Sequence, residues 1–449
     1  MTTAARTLAD FAVGLAYERI PREVLERAKD CLIDTVGACV FGAELPWSKI
    51  VIEYAKRNSA PGGSSVLGTG IKVRAPFASL ANGALAHAFE LDCLCQPSVG
   101  VHPGASLAVP GLAVAQGRGK NGKDLLAAMV AGYEVMYRIG DAARHSSEKL
   151  GFHAPGLTGV FGGAVVVGKL MELDAQRMAN ALGIAGSLCS GLLEFSRSGG
   201  GMVKRLHLGR AAEGGFMAAV LARDGYTGPE GVLEGKFGFL NTFCRDAEPA
   251  RLTRSCGEEW HVLKTTIKRY ACHITAHVPV TLVLDLKARH GLSGSDVVQI
   301  SIAGAEKMVS HHAINEPQDL AMAQYSTPFC TALALFRDPT DPRVFSEEAL
   351  ADPAIRALAR TAQVTLRAAA PRDTALASRV ALRLKGGKEV SGEGQDFKGM
   401  PGKPLTRAEL FEKFLKLTSH RDRAKAERLF AQLAEAERVA DFSALDFAL

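Results

Sequence analysis

The chain has 449 residues, 47% of them hydrophobic and 22% charged, with a formal net charge of +6. These values fit a globular protein of two or three packed units and exclude large-scale disorder. Lysines and arginines are scattered without a basic block and aromatics make up only 6%, which argues against a nucleic-acid partner.

A modest basic excess is compatible with anionic substrates. No run approaches the roughly 18 apolar residues that span a bilayer, so no membrane partner is expected. The opening Met1-Thr-Thr-Ala-Ala-Arg-Thr-Leu-Ala-Asp lacks the apolar core of a signal peptide, which makes the cytoplasm the expected location. The nine cysteines are irregularly spaced and odd in number. They predict reduced, mostly buried thiols rather than a disulfide framework, a zinc site or an iron–sulfur cluster.

Helical patterns dominate to about residue 260. Pro21 suits a first helical turn, Val24, Leu25, Ala28, Leu32, Ile33 and Val36 share a face, and Gly42 offers a stop. The segments 105–116 and 123–139 are apolar around most of their circumference, as in helices buried inside a helical core. Gly159, Gly162 and Gly163 fall within a helical pattern, where they serve close helix approach or close approach to a ligand. After Trp260 the pattern changes. Residues 297–304 alternate as a strand, 361–367 suggest another, and 380–384 run through Gly386-Gly387 into Lys388-Glu389-Val390 as a hairpin. Helix returns with a capping box at Thr406 and Glu409 and the face Leu410, Phe414 and Leu417.

The expected fold is therefore mainly α. A large all-helical domain is expected from residues 1–264 and 396–449, with a smaller α+β domain over residues 265–395.

Gly117-Arg-Gly-Lys-Asn-Gly122-Lys123 nearly spells a phosphate loop, but Asp124 stands where Ser or Thr would hold magnesium, and a connection between helices fits better. No HExxH, GxSxG or dinucleotide fingerprint is present.

Four stretches concentrate proton-transferring groups in apolar surroundings. The first runs from His87-Ala-Phe-Glu-Leu-Asp92 through Gln96 to His102-Pro103-Gly104. Its acid and imidazole suit general acid–base work, or equally a helix cap and a surface histidine. In the second, His153 precedes a glycine-rich helix whose free amides would favour an anion, or simply caps that helix. The third, Ser198 to Ala212, holds Lys204, Arg205 and His207 behind a glycine run. Lys204 or Arg205 could neutralise a carboxylate, or the pair could be a solvated helix face. The fourth runs from Lys268 to His277. His273 and His277 would share a helical face, and carboxylate binding with proton transfer is preferred over a metal, for which a third ligand is missing. Tyr325 adds a phenol at the head of a helical pattern, as a donor or as a buried structural tyrosine.

Several short runs, in order through the whole chain, resemble the MmgE/PrpD family. They are Ile33-Asp-Thr-Val-Gly37, Asn82-Gly-Ala84 with His87-Ala88, His102-Pro-Gly104, Ala181-Leu-Gly-Ile-Ala-Gly186, Lys204-Arg-Leu-His207 with Gly209-Arg-Ala-Ala212, Tyr226-Thr-Gly-Pro229 with Leu233-Glu-Gly235, and Tyr325-Ser326. The resemblance implies the helical domain described above, an α+β lid, a homodimer, and catalysis without metal or organic cofactor.

It also implies an active site between the domains that draws on Asp92, His102, His153, Lys204, Lys268, His273 and Tyr325. Gln96 stands where many relatives carry a substrate-contacting threonine; its longer amide alters pocket size and hydrogen bonding. In the reading that follows, Lys204, Lys268 and His273 hold the carboxylates of a small di- or tricarboxylate that Gln96 also contacts. His153 or His102 moves a proton at the carbon beside a carboxylate, Asp92 orients that histidine, and Tyr325 donates to substrate or leaving group. Dehydration of a 2-methylcitrate-like acid is placed first, with decarboxylation or epimerisation on the same scaffold as alternatives. A non-catalytic carboxylate-binding protein is the alternative of another class.

Overall fold

A computed structural model describes residues 2–95, 100–198, 201–371 and 373–449. The chain is mainly α and divides into two compact units, one comprising 1–88, 92–267 and 407–449 and the other 89–91 and 268–406. Among the described residues no single helix is long and apolar enough to cross a membrane.

The first unit is organised around the helix Ala154–Leu170, which is apolar on every side. All its residues are buried except Lys169, as expected of a helix without a polar face. It packs against the helices Gly122–Ala143, Ala175–Gly186 and Val203–Arg223. Each fully buried Val, Leu or Phe there stabilises the unit by about 1.5–3 kcal/mol. Near-phosphate-loop residues 117–123 join two helices, with Asn121 as N-cap accepting from the Asp124 amide.

Helical from 105 onward by pattern, the segment before Val109 is instead a wider π turn over Gly104–Ala108. Pro110 has no N–H to offer the carbonyl of Ser106, so the regular ladder cannot run through this point. The helical region also contains short strand pairs, Ser64–Ser65 with Lys72–Val73 and Leu94–Cys95 with Thr265–Thr266. The second pair fastens the segment just after Asp92.

Helix Val203–Arg223 also lies against helix Ala75–Ala86, and the crossing point is glycine on glycine. A Cβ on Gly209 would sit 2.4 Å from the Leu80 carbonyl oxygen, and one on Gly83 would sit 2.8 Å from the Gly209 Cα. Backbone cannot rotate away as a side chain can. Gly209→Ala is therefore expected to destabilise the protein by about 1–3 kcal/mol, overriding the better helix propensity of alanine. The denaturant midpoint of this variant, set against that of Gly14→Ala, where a Cβ meets nothing within 4 Å, checks the prediction.

The late helices Arg407–Leu417 and Arg423–Ala434 pack on helix Arg22–Gly42. Phe414 and Leu417 lie against Gly37, and Lys413 pairs with the fully buried Asp34. Burial pushes the Asp34 carboxyl up, and Lys413 works against that rise.

The second unit carries a four-stranded sheet in the order Gln363–Leu366, Val297–Gly304, Ser378–Leu384, Glu389–Gly394. The first pairing is parallel and the other two antiparallel. Gly386 and Gly387 turn the hairpin with φ of +93° and +88°, a region open to glycine at little cost. Helix Ile274–His290 packs on the two hairpin strands, and helix Thr327–Phe336 packs on it in turn.

Candidate active site

Asp92 lies in a bend soon after helix Ala75–Ala86 and is completely buried. His87, the C-cap of that helix, places Nδ1 3.0 Å from both carboxylate oxygens, and His102 places Nδ1 2.7 Å from Oδ2. An ionised carboxylate only accepts, so both rings carry their hydrogen on Nδ1. One buried acid thus fixes the tautomer of two imidazoles and leaves Nε2 of each as the basic nitrogen. Nε2 of His87 is buried with no hydrogen-bond partner among the described residues.

Burial holds the His87 imidazole well below its ordinary range, against the pull of Asp92. Burial alone would raise Asp92, but His87 and His102 outweigh it and hold the carboxyl well below the usual carboxylate range. Both shifts describe one state, a charged Asp92 beside a neutral His87.

Both are depressed, so each contributes stability above its unfolded pKa and loses it as pH falls. For His87 the loss begins near pH 6.5, where an unfolded histidine starts to bind a proton that the folded one refuses. Between about pH 6 and 5 the protein should lose up to about 1.4 kcal/mol per pH unit through this group. Chemical denaturation across that window checks it; a slope no smaller in His87→Gln than in the parent chain would contradict the assignment.

The His102 loop is tied to the helix that His153 caps, since Thr158 Oγ1 donates to the Gly100 carbonyl at 2.7 Å. His153 is buried, with its ring centroid 6.0 Å from that of His87. Its Nδ1 lies 3.0 Å from Nδ1 of His207. Lys204, one turn earlier on the His207 helix, is buried and bears electrostatically on both His87 and His207. Arg205 is engaged elsewhere: Nε donates to the Ala88 carbonyl at 3.1 Å and the guanidinium lies 4.8 Å from the Trp47 ring. Of the two cations at this motif, Lys204 is the one beside the histidines.

Asp92, His102, His153 and Lys204 are thus gathered in the first unit, with His87 and His207 added to them. Gln96 lies outside the described residues. Lys268, His273 and Tyr325 lie in the second unit. There Lys268 Nζ is 2.9 Å from Glu90 Oε2, both groups buried.

His273 is the N-cap of helix Ile274–His290, not a residue within it, and its Nδ1 contacts the Thr275 hydroxyl at 2.9 Å. The shared helical face expected for His273 and His277 is therefore not formed. His277 turns inward, accepting at Nε2 from the Tyr270 amide and lying 3.7 Å from Cys272 Sγ. The ring of His273 instead stacks on His312 at 4.0 Å and meets Tyr325 at 5.0 Å. His312 Nδ1 donates to the Tyr325 carbonyl at 3.0 Å. Tyr325 ends the short helix Leu320–Tyr325 rather than opening one, and Ser326 caps the next.

His87, Asp92 and His102 also place donor atoms within 4.8 Å of one another, a spacing compatible with a bound cation. Imidazole and carboxylate are suitable ligands, but a cation there would have to replace the two Nδ1 hydrogens that Asp92 now accepts.

The helical scaffold thus gathers a buried acid hydrogen-bonded to two histidines, with a buried lysine nearby. The model of the MmgE/PrpD N-terminal domain matches residues 6–252, and that of the MmgE/PrpD C-terminal domain matches residues 270–437. The chain belongs to the MmgE/PrpD family.

It is 35% identical over 295 residues to a cis-aconitate decarboxylase of Aspergillus terreus, covering 62% of this chain and 59% of that protein. It is 31% identical over 282 residues to the cis-aconitate decarboxylase-like protein oryM of Aspergillus oryzae, covering 59% of this chain and 58% of that protein. With the cis-aconitate decarboxylase of Homo sapiens it shares 26% identity over 416 residues, 89% of this chain and 85% of that protein. The matches span about three fifths of the length of the Aspergillus relatives.

Proposed function

We propose that the chain is a lyase that acts on a small di- or tricarboxylate, without metal or organic cofactor, by moving a proton at a carbon beside a carboxylate. Decarboxylation of a cis-aconitate-like acid is placed first, because two of these relatives bear that activity in their names and the third is named as like them. The observation that carries the reading is Asp92 accepting from Nδ1 of both His87 and His102. A buried carboxylate that sets two ring tautomers is an arrangement for proton transfer, and simple anion binding does not require it.

In this reading Lys204 holds a carboxylate and offsets negative charge that builds on the substrate. The C–C bond to the departing carboxylate breaks, carbon dioxide leaves with neither of the bonding electrons, and the carbon that keeps the pair takes a proton from His153 or His102. Lys268 and His273 as carboxylate-holding groups, and Tyr325 as a donor, are the remaining assignments.

The test is incubation with cis-aconitate and with 2-methylcitrate in deuterated water, followed by NMR. Carbon dioxide release with one deuterium at the product carbon is expected. Loss of water from 2-methylcitrate would assign dehydration instead. Tight binding with no turnover and no exchange would leave a carboxylate-binding protein. Activity should survive a chelator; its loss and restoration by a divalent ion would overturn the metal-free assignment.

A further inference from the structure

We infer that His207 is a positioning residue that relays protons between solvent and His153. The inference rests on the lyase reading above and deepens it by naming the route that supplies the proton.

His153 and His207 come from different elements and are held with their ring centroids 5.1 Å apart and their planes tilted by 50°. His153 caps helix Ala154–Leu170, its backbone N–H bonded to the Gly191 carbonyl at 3.0 Å. His207 rises from the second turn of helix Val203–Arg223. The Phe195 ring packs edge-on against both imidazoles, at 5.5 and 5.9 Å. Gly191 closes the other side with φ +121°, where a Cβ would lie 3.2 Å from the His207 ring. Only glycine combines that backbone conformation with that clearance.

The two Nδ1 atoms are 3.0 Å apart. Two nitrogens at that distance must share a hydrogen, since two lone pairs would repel and two N–H groups would collide. Two neutral arrangements are therefore possible. With the hydrogen on His207, His153 carries its own on Nε2 and is an acid there. With it on His153, the Nε2 of His153 is a base. Moving one hydrogen switches the catalytic character of His153.

The two rings differ in access to solvent. His153 is 6% exposed, whereas His207 is only partly buried. Burial, then Lys204, depresses the His207 imidazole, so it is neutral near pH 7 and can accept a proton only to pass it on. Among the described residues, His87 with Asp92 also faces the pair, reached through the His87–His153 contact.

Decarboxylation consumes one proton for each carbon dioxide released, and that proton must come from water. A solvent proton adds to His207 Nε2, the shared hydrogen passes from His207 Nδ1 to His153 Nδ1, and His153 Nε2 gives its proton to the carbon that has lost carbon dioxide. After release the reverse shift restores the pair: His153 Nε2 takes a proton from water, the shared hydrogen returns, and His207 Nε2 loses one to solvent. Net consumption stays at one proton.

The test compares wild type, His207→Ala and His207→Phe with cis-aconitate across pH 5.5 to 8.5, with and without free imidazole. His207→Ala should lower kcat about 10- to 100-fold with KM changed less than about twofold, and should alter the pH profile of kcat. Imidazole should recover at least about tenfold of that loss in His207→Ala and none in His207→Phe, which fills the space without a ring nitrogen. Wild-type kcat and pH profile in His207→Ala, or full activity in His207→Phe, would overturn the relay.

If the wild-type chain turned over none of the acids, the functional reading would fall first. The pair would then be judged by histidine ¹⁵N spectra of the intact chain. Mixed tautomers at His153 that collapse to one in His207→Ala support the shared hydrogen, and an unchanged His153 signal refutes it.

Discussion

Asp92→Asn is expected to lower kcat by about 10³-fold, inside the 10²- to 10⁴-fold range usual for general acid–base groups. The carboxylate accepts from His87 and His102 together. An amide of the same shape offers one acceptor oxygen and one donor nitrogen. At least one ring must then present a lone pair to the amide, and without the negative charge beside them neither imidazole is helped to hold the extra proton that a donor to carbon must carry. The fold should persist with a loss of about 1–3 kcal/mol, the cost of poorly matched buried polar groups. Steady-state kinetics beside a thermal melt separate the two effects. A folded Asp92→Asn with wild-type kcat would remove the His–Asp–His set from the mechanism.

His153→Ala should cost about 10²- to 10⁴-fold in kcat if this ring carries the proton. Its position supports the assignment: it is the N-cap residue of a helix buried everywhere but at Lys169, its ring centroid stands 6.0 Å from that of His87, and its Nδ1 is hydrogen-bonded to His207. His102→Gln is the matched comparison, since His102 is the other candidate and shares Asp92. If His153→Ala abolishes deuterium incorporation while His102→Gln only slows it, His153 is the donor to carbon. Unchanged kinetics in His153→Ala with an acid that the wild type turns over would exclude it.

Much of the helical framework is legible in local pattern. The apolar circumference of residues 123–139, within helix Gly122–Ala143, follows from periodicity alone, as does the alternation at 297–304. The π turn at Gly104–Ala108 is not, because it depends on what Pro110 does to a ladder that otherwise reads as plain helix. His87 and His207 sit inside quoted motifs, yet spacing alone gives neither a role. His87 is five residues before Asp92, which no regular element would bring onto one carboxylate. His207 meets His153 from 54 positions away.

Local spacing misled at His273 and His277. Four residues apart predicts a shared face, but Ile274 begins the helix and leaves His273 at the cap. Glu90 beside Lys268 and His312 beside His273 carry no sequence signal, because their partners are set by tertiary contacts alone.

The large unit is assembled from stretches on both sides of residues 268–406. During synthesis, residues Arg22–Gly42 emerge long before Phe414 and Leu417 exist to cover Gly37, and the Asp34 carboxyl must wait for Lys413. The nascent helical bundle therefore carries an open seam, and Asp34 lacks its lysine, until residues 407–434 have been made. A ribosome pausing near residue 400 would prolong that vulnerable interval, in which chaperone capture or self-association competes with closure.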